Sequence, residues 1–515
     1  MQQHQSRFKK KIMIKRFFAG AILVPLSILL AISPAITVHA QEREEIDKVE
    51  VPMPLPTWKP TVKAASMEPS RLVSYDVETG IEEIIDFSSE VQASGVPESA
   101  HVDGGEVLDG YTEIEPDVVA ASFNDLTLVN DPDKSPWRMN VKVFVEYDED
   151  PDSIYHCSGA LIDAKHVLTA GHCIFDHDND WGWADSVRVI PGYDNSDEPY
   201  GDADMAAAPS LYSWTKWTED ENWDWDMGFI KLNKPIGALS SWFGYGFNNK
   251  DSFFEDSYFH SPGYPSASPY NGQLMYYWYG QYDSVKEHTL YHDDRAYGGQ
   301  SGSSSYYIDR SDSQNYIRYV YGVLSHAPSD NINKTGHTRI NSDRFYHIQN
   351  TIKKNTPTRV DLVPMNVKIG PTYITAGSRL NSMNFLLHNY SSATWSGKVN
   401  IKIYLSTNDN ISTSDTLLAT TSLTSLILPK RSIPVAVGTP PTIPATQSGR
   451  FWIGVIVDVA DANVVNNDTD EWDAASIYVA PRLPRVFQDP TGQNDPNAES
   501  QNGGTDMLYL PLITH

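Results

Sequence analysis

Three short stretches carry side chains able to do covalent chemistry. The first reads Cys157-Ser158-Gly159-Ala160-Leu161-Ile162, then Leu168-Thr169-Ala170-Gly171-His172-Cys173, and it puts an imidazole at the end of a strand. The second, Trp223-Asp224-Trp225-Asp226-Met227, leads into the apolar run Gly228-Phe229-Ile230-Lys231-Leu232. A carboxylate buried behind an imidazole fixes its tautomer and stabilises the imidazolium. Asp226 is preferred to Asp224 for that role because it lies nearer the strand. The third, Tyr297-Gly298-Gly299-Gln300-Ser301-Gly302-Ser303, sets a hydroxyl in a glycine loop whose N–H groups can face a developing oxyanion. Each such donor contributes about 3 kcal/mol to a transition state. Singly these are a structural His, a solvated Asp and a flexible loop. In the order imidazole, carboxylate, hydroxyl they point to nucleophilic acyl transfer.

The elements that must position them are strands. Val141 to Val145 and Tyr319 to Leu324 alternate as strands do, in an aromatic-rich block starting near Val119. Helical spacing is found only at Phe345 to Lys354, before a linker at Thr356-Pro357-Thr358. A second block, residues 360–480, holds the runs Val399 to Leu405 and Phe451 to Val457, and some seven short strands there suggest an immunoglobulin-like sandwich. The fold class is therefore all-β. Two cysteines allow one bridge, and joining Cys157 to Cys173 would pin the loop bearing His172.

Composition narrows the function. The chain has 515 residues, 40% hydrophobic and 20% charged, with a net charge of −27, so it is neither a disordered polyanion nor a multi-span membrane protein. Such acidity argues against a nucleic-acid partner, which calls for clustered Lys and Arg. Residues 1–40 combine a basic start with an apolar run from Phe17 to Val38, ending Val38-His39-Ala40. They read as a secretion signal cleaved near Ala40, the alternative being an uncleaved anchor. Residues 41–118 carry 19 acidic and 5 basic side chains, which suits either a solvated spacer or a pro-segment. The Gln-, Asn- and Gly-rich stretch within 481–515 predicts a flexible tail.

The segment 119–355 resembles bacterial glutamyl endopeptidases, a branch of the trypsin-like serine proteases. Besides the three stretches, Ser135-Pro136-Trp137-Arg138, Phe243-Gly244-Tyr245, Gly263-Tyr264-Pro265 and Thr338-Arg339-Ile340 are similar to family segments. The resemblance implies two six-stranded antiparallel barrels with the site between them, followed by the sandwich. It makes His172 the general base and acid, Asp226 its orienting partner and Ser301 the nucleophile. The N–H groups of Gly299 and Ser301 form the oxyanion hole, and Ser325 lies on the strand running beside the substrate. Protein or peptide substrates, and no metal or other cofactor, are implied.

The family's pattern is not followed throughout. Leu324 stands where a pocket His is usual, and His326, two positions on, points into or out of the cleft, with a surface role favoured. Arg295, six residues before Ser301, falls at the base of the pocket in the trypsin-like pattern, where a cation repels basic substrates and attracts carboxylates unless Asp293 or Asp294 pairs with it. Gln300 replaces the Asp that captures a freed N-terminus in digestive relatives. The stretch Asp176-His177-Asp178-Asn179-Asp180 lacks the Gly and Glu of a calcium loop and reads as solvated. Residues 360–480 loosely resemble the bacterial CARDB domains, in Val360-Asp361-Leu362-Val363 and Tyr404-Leu405-Ser406-Thr407-Asn408-Asp409 among others, which implies a spacer or a module for a cell-surface or polymer ligand. The expectation is a secreted serine endopeptidase. Its rival is an inactive, protease-like adhesin.

Overall fold

The computed structural model describes residues 48–56, 69–87, 96–105, 126–201, 203–204, 210–311, 316–327, 334–470 and 473–482. The signal expected over 1–40, the start near Val119 and nearly all of the tail expected over 481–515 lie outside these residues. The described residues belong to one compact unit from Asp47 onward. Among them, no helix is long and apolar enough to cross a membrane.

Strands of alternating β-branched and polar residues build two ten-stranded sheets. The first orders Ala203–Asp204, Ser186–Pro191, Asn140–Glu146, Ser153–Asp163, His166–Thr169, Gly228–Lys231, Ser210–Trp214, Leu72–Asp76 and Ile81–Ile85, with Val49–Pro52 added in parallel on Ser153–Asp163. The second orders Ser284–Val285, Thr289–His292, Thr335–Arg339, Ile317–His326, Ser304–Asp309, Phe259–Gly263, Tyr276–Gly280 and Thr127–Leu128. Gly244–Asn248 bridges Ile317–His326 to Ser99–Val102.

Both sheets exceed the six strands expected, partly because the acidic segment supplies strands to each. Leu72 and Val73 are fully buried within that segment, so its described parts are integral to the sheets and not a solvated spacer. One core joins Leu168, Trp214 and Phe229 of the first sheet to Tyr306 and Val323 of the second.

The closing helix, Ser342–Asn355, begins three residues before the expected Phe345 because the Asn341 side chain accepts the Arg344 N–H at 3.1 Å. It buries Phe345 and Ile348. Beyond it a three-stranded sheet (Leu362–Gly370, Ser382–Asn389, Ser432–Ala436) faces a five-stranded one containing Trp395–Ser406 and Gly449–Asp458. Val399, Ile401, Ile403 and Leu405 point inward at every second position, as the sandwich expected for 360–480 requires.

The sandwich is tied to the first sheet by charge. Asp163, buried at a strand end, accepts from Lys430 Nζ at 3.0 Å and from the Tyr390 hydroxyl at 3.2 Å, with His166 Nδ1 at 3.1 Å. The Lys165 and Lys430 ammonium groups lie 4.8 and 3.8 Å from the centre of the Tyr390 ring. Lys234 reaches Asp470 at 2.5 Å. Burial pushes the Asp163 carboxyl up, but Lys430 and His166 outweigh it and hold it well below the usual carboxylate range.

A group with a depressed folded pKa contributes stability above its unfolded value, near 4, and loses it as pH falls towards the folded value. Lys430→Ala removes the main counter-charge. It is expected to cost about 3 kcal/mol at pH 7, because the carboxylate stays buried. Thermal melting of the two proteins should show a gap that narrows below about pH 4. A gap independent of pH would remove Asp163 from the explanation.

Candidate active site

A tight turn, Gly171–Cys173, follows the strand His166–Thr169 and presents His172; the Cys157–Cys173 disulfide ties it to the neighbouring strand. A second turn, Trp223–Trp225, carries Asp226, which is fully buried. This turn is held from behind. Asp224 accepts from Thr289 Oγ1 at 3.0 Å through its side chain and from the Arg344 guanidinium through its carbonyl, while Arg344 lies 4.2 Å from the centre of the Trp225 ring. Asp224 is thus a brace, and Asp226 faces the imidazole.

Asp226 Oδ2 sits 2.8 Å from His172 Nδ1, and Oδ1 accepts the His172 backbone N–H at 2.8 Å. Ser325 Oγ donates to Oδ2 at 2.6 Å. Burial raises the Asp226 pKa, but the His172 imidazole and the hydrogen bonds from His172 and Ser325 more than offset it, so the carboxyl lies below its ordinary value. The carboxylate is the stable form, and the imidazole is held with Nε2 free for proton transfer.

Ser301 is fully buried, and among the described residues neither its Oγ nor His172 Nε2 has a hydrogen-bond partner. Ser301 sits in the glycine loop, which is tightly packed. Gly302, at φ +82°, lies so close to Thr169 and Ala170 that a Cβ would stand 2.2 Å from Thr169 Oγ1. Gly299, at φ +87°, has no room either: a Cβ would lie 2.4 Å from the Tyr264 carbonyl and 2.6 Å from His156 Nε2. Ser158 fastens this loop to the first sheet, donating its N–H to the Ser301 carbonyl at 2.7 Å and its hydroxyl to the Gly299 carbonyl at 2.8 Å.

The remaining expected residues are placed as follows. Leu324 is buried, exchanging backbone hydrogen bonds with the glycine loop through Gly302 and Ser303. His326 is buried, correcting the surface role favoured for it: its Nδ1 is 3.0 Å from Ser325 Oγ and its ring lies edge-on to Trp223 and Tyr291. Burial, opposed by Asp226 and Asp224, lowers its pKa to about 4. Arg295 is exposed with its guanidinium 5.0 Å from the centre of the Tyr297 ring. Asp294 instead receives Trp278 Nε1, and Asp293 pairs with Lys334. Gln300 accepts the Tyr297 N–H at 2.9 Å. The Asp176–Asp180 loop closes on itself, Asp176 accepting the Asn179 N–H at 2.6 Å.

Three things escape sequence reasoning. The Ser325 hydroxyl acts on Asp226. His292 and His337 lie 3.2 Å apart on neighbouring strands, both buried, with Trp278 stacked on His292. A peptide segment, Val49 to Pro56, crosses the site. It pairs with Ser153–His156, gives the Met53 carbonyl to the Gly299 N–H at 3.1 Å, and gives the Pro56 carbonyl to the Ala327 N–H at 2.9 Å. The alternation Pro52, Pro54, Pro56 was the available signal of a stiff, extended segment.

Residues 130–250 match the sequence model of the family described as Trypsin, a span that includes His172 and Asp226 and stops before Ser301. The chain is similar to an "Extracellular metalloprotease" of Bacillus subtilis (strain 168), 28% identical over 248 residues, covering 47% of this chain and 74% of that protein. It is also similar to a "Glutamyl endopeptidase" of Bacillus licheniformis, 29% identical over 180 residues, covering 35% of this chain and 52% of that one. A solved structure, "Structure of Glu endopeptidase in complex with MPD", is 18% identical with a TM-score of 0.37, over 44% of this chain and 96% of that chain. Residues 130–250 are thus similar to the trypsin-like serine proteases, within a fold that is all-β. The likeness to a glutamyl endopeptidase covers part of the chain, and a β-sandwich domain lies at its C-terminal side.

Two substitutions separate the contacts on the imidazole. Asp226→Asn leaves the geometry but loses the charge, and should lower kcat on the order of 10⁴-fold. Ser325→Ala removes one hydrogen bond to the carboxylate and should lower kcat/KM by about 10-fold, with a rise in the pKa of the acid limb of the pH–rate profile. An unchanged rate in Ser325→Ala would make its hydroxyl merely structural.

Proposed function

We propose that the protein is a secreted serine endopeptidase made as a precursor, in which His172, Asp226 and Ser301 act as the triad and Gly299 and Ser301 supply the oxyanion hole. His172 takes the Ser301 proton as Oγ attacks the peptide carbonyl, then gives it to the departing amine. Water hydrolyses the acyl-enzyme by the same route in reverse. The observation that carries this reading is a peptide carbonyl, that of Met53, already bound by the Gly299 N–H beside the His172–Asp226 pair.

The bound peptide also supports the precursor reading of residues 41–118, with the mature protease at 119–355, the accessory domain at 360–480 and a tail at 481–515. The bond after the Met53 carbonyl leads to Pro54, whose ring nitrogen carries no N–H. The segment enters beside His156 and leaves beside Ala327, so it runs opposite to a substrate whose acyl half lies along Ser325. Both features protect it from cleavage. Preference for an acidic side chain before the cleaved bond is supported by the resemblance to glutamyl endopeptidases and by the neutral imidazoles of His326, His292 and His337, which can donate to a carboxylate. The sandwich is assigned a cell-surface or polymer ligand.

One relative is called a metalloprotease. Among the described residues the one group of three metal-binding side chains is Cys157, His172 and Cys173, and its sulfurs are spent in the disulfide, so the set does not fit a metal.

Ser301→Ala should abolish casein hydrolysis and the reaction with a serine-directed phosphonylating reagent. Equal hydrolysis by both proteins, with neither labelled, would favour the inactive adhesin. A peptide library should show little cleavage after Lys or Arg, and dominant cleavage after Arg would remove the acidic preference.

A further inference from the structure

A second group of polar side chains adjoins the glycine loop and is not used by the chemistry above. Lys142 lies on the strand Asn140–Glu146, and its side chain is wholly buried. Its ammonium stands 4.7 and 4.4 Å from the ring centres of Phe144 and Tyr193. Its counter-ion comes from the precursor segment: Glu50 Oε1 is 2.5 Å from Lys142 Nζ and 3.1 Å from His156 Nδ1, and Oε2 accepts from Gln273 Nε2 at 3.0 Å. Gln273 is oriented in turn by the Tyr193 hydroxyl, which donates to its Oε1 at 2.6 Å. Burial pushes the Glu50 carboxyl up, yet His156 and Lys142 bring it down to about 2.

This cluster is part of the cleft wall. His156 reaches Gly299, where a Cβ would touch its Nε2, and the His156 carbonyl accepts the Met53 N–H at 3.0 Å. When the precursor segment departs, Glu50 goes with it. Lys142 then loses its counter-ion while its ammonium still faces the rings of Phe144 and Tyr193, a site suited to another anion.

We propose that Lys142, His156 and Gln273 form a carboxylate-binding subsite of the protease, filled by Glu50 in the precursor and by an acidic side chain of the peptide substrate in the mature form. This rests on the proposed protease reading in one respect: with the acyl half of the substrate along Ser325, the subsite falls on the leaving-group side of the cleaved bond. The ligand is an Asp or Glu side chain held by a point charge and two neutral donors, and Gln in its place loses the charge-assisted contact with Lys142. Acidic selectivity is therefore exercised at a second place in the cleft, beyond the cleaved bond.

The test uses the secreted, matured protein and two synthetic peptides spanning Lys48 to Thr57, one of native sequence and one with Glu50→Gln. Calorimetry should show the Gln peptide binding at least 10-fold more weakly, whereas equal affinities would overturn the subsite. In a second arm, quenched fluorescent substrates carry Glu or Gln at each position after the cleaved bond. One position should favour Glu several-fold in kcat/KM, and Lys142→Met should erase that preference. Hydrolysis without discrimination at any position would sink the subsite and leave the protease intact. Peptide discrimination without any hydrolysis would do the reverse. The peptide arm needs no substitution in the enzyme, so it decides the matter even where Lys142→Met does not fold.

Discussion

The site is organised around the desolvated carboxylate of Asp226. A charge buried without partners neutralises itself, and this one stays ionised because three neighbouring groups meet it. The turn bearing His172 supplies a backbone N–H and a ring nitrogen, the strand Ile317–His326 supplies the Ser325 hydroxyl, and the loop Trp223–Trp225 carries the group itself. These belong to different sheets, so the carboxylate also fixes the relation between them. Arg344 extends the arrangement outward, since the helix that closes the protease block grips the same loop through the Asp224 carbonyl.

The glycine loop meets a different constraint. The Gly299 and Ser301 carbonyls are occupied by Ser158 and the loop's glycines are pressed against Tyr264, His156, Thr169 and Ala170, which leaves the Gly299 N–H facing the Met53 carbonyl. Rigidity of this kind is what lets a donor act on a transition state without first reorganising. The segment Val49 to Pro56, which meets the Gly299 N–H, carries prolines at positions 52, 54 and 56.

Much of this was legible in the sequence. His172, Asp226 and Ser301 sit in short contexts whose local chemistry is self-explanatory: a strand end, an acidic residue before an apolar run, a glycine loop. Period-two alternation through Val399, Ile401, Ile403 and Leu405 located the sandwich, and the Asn341 cap only moved the helix start by a turn. What was not legible depends on distant partners. Nothing local to His326 says that Trp223 and Tyr291 enclose it, so its exposure was misjudged. Arg295 was placed by its offset from Ser301, but a side chain at a loop's surface follows the nearest ring, here Tyr297. Glu50 looked like one acidic residue among 19, because the lysine that matches it is ninety-two positions away.

The ties between Asp163, Lys430 and Tyr390 bear on how the C-terminal block works. A domain joined only by a linker lets a catalytic head swing and sample its surroundings. Here the joint is packed and charged, with a lysine of the sandwich neutralising a carboxylate at the end of a protease strand. The sandwich is accordingly held against the first sheet and does not hang from a linker alone. Such an enzyme trades reach for aim.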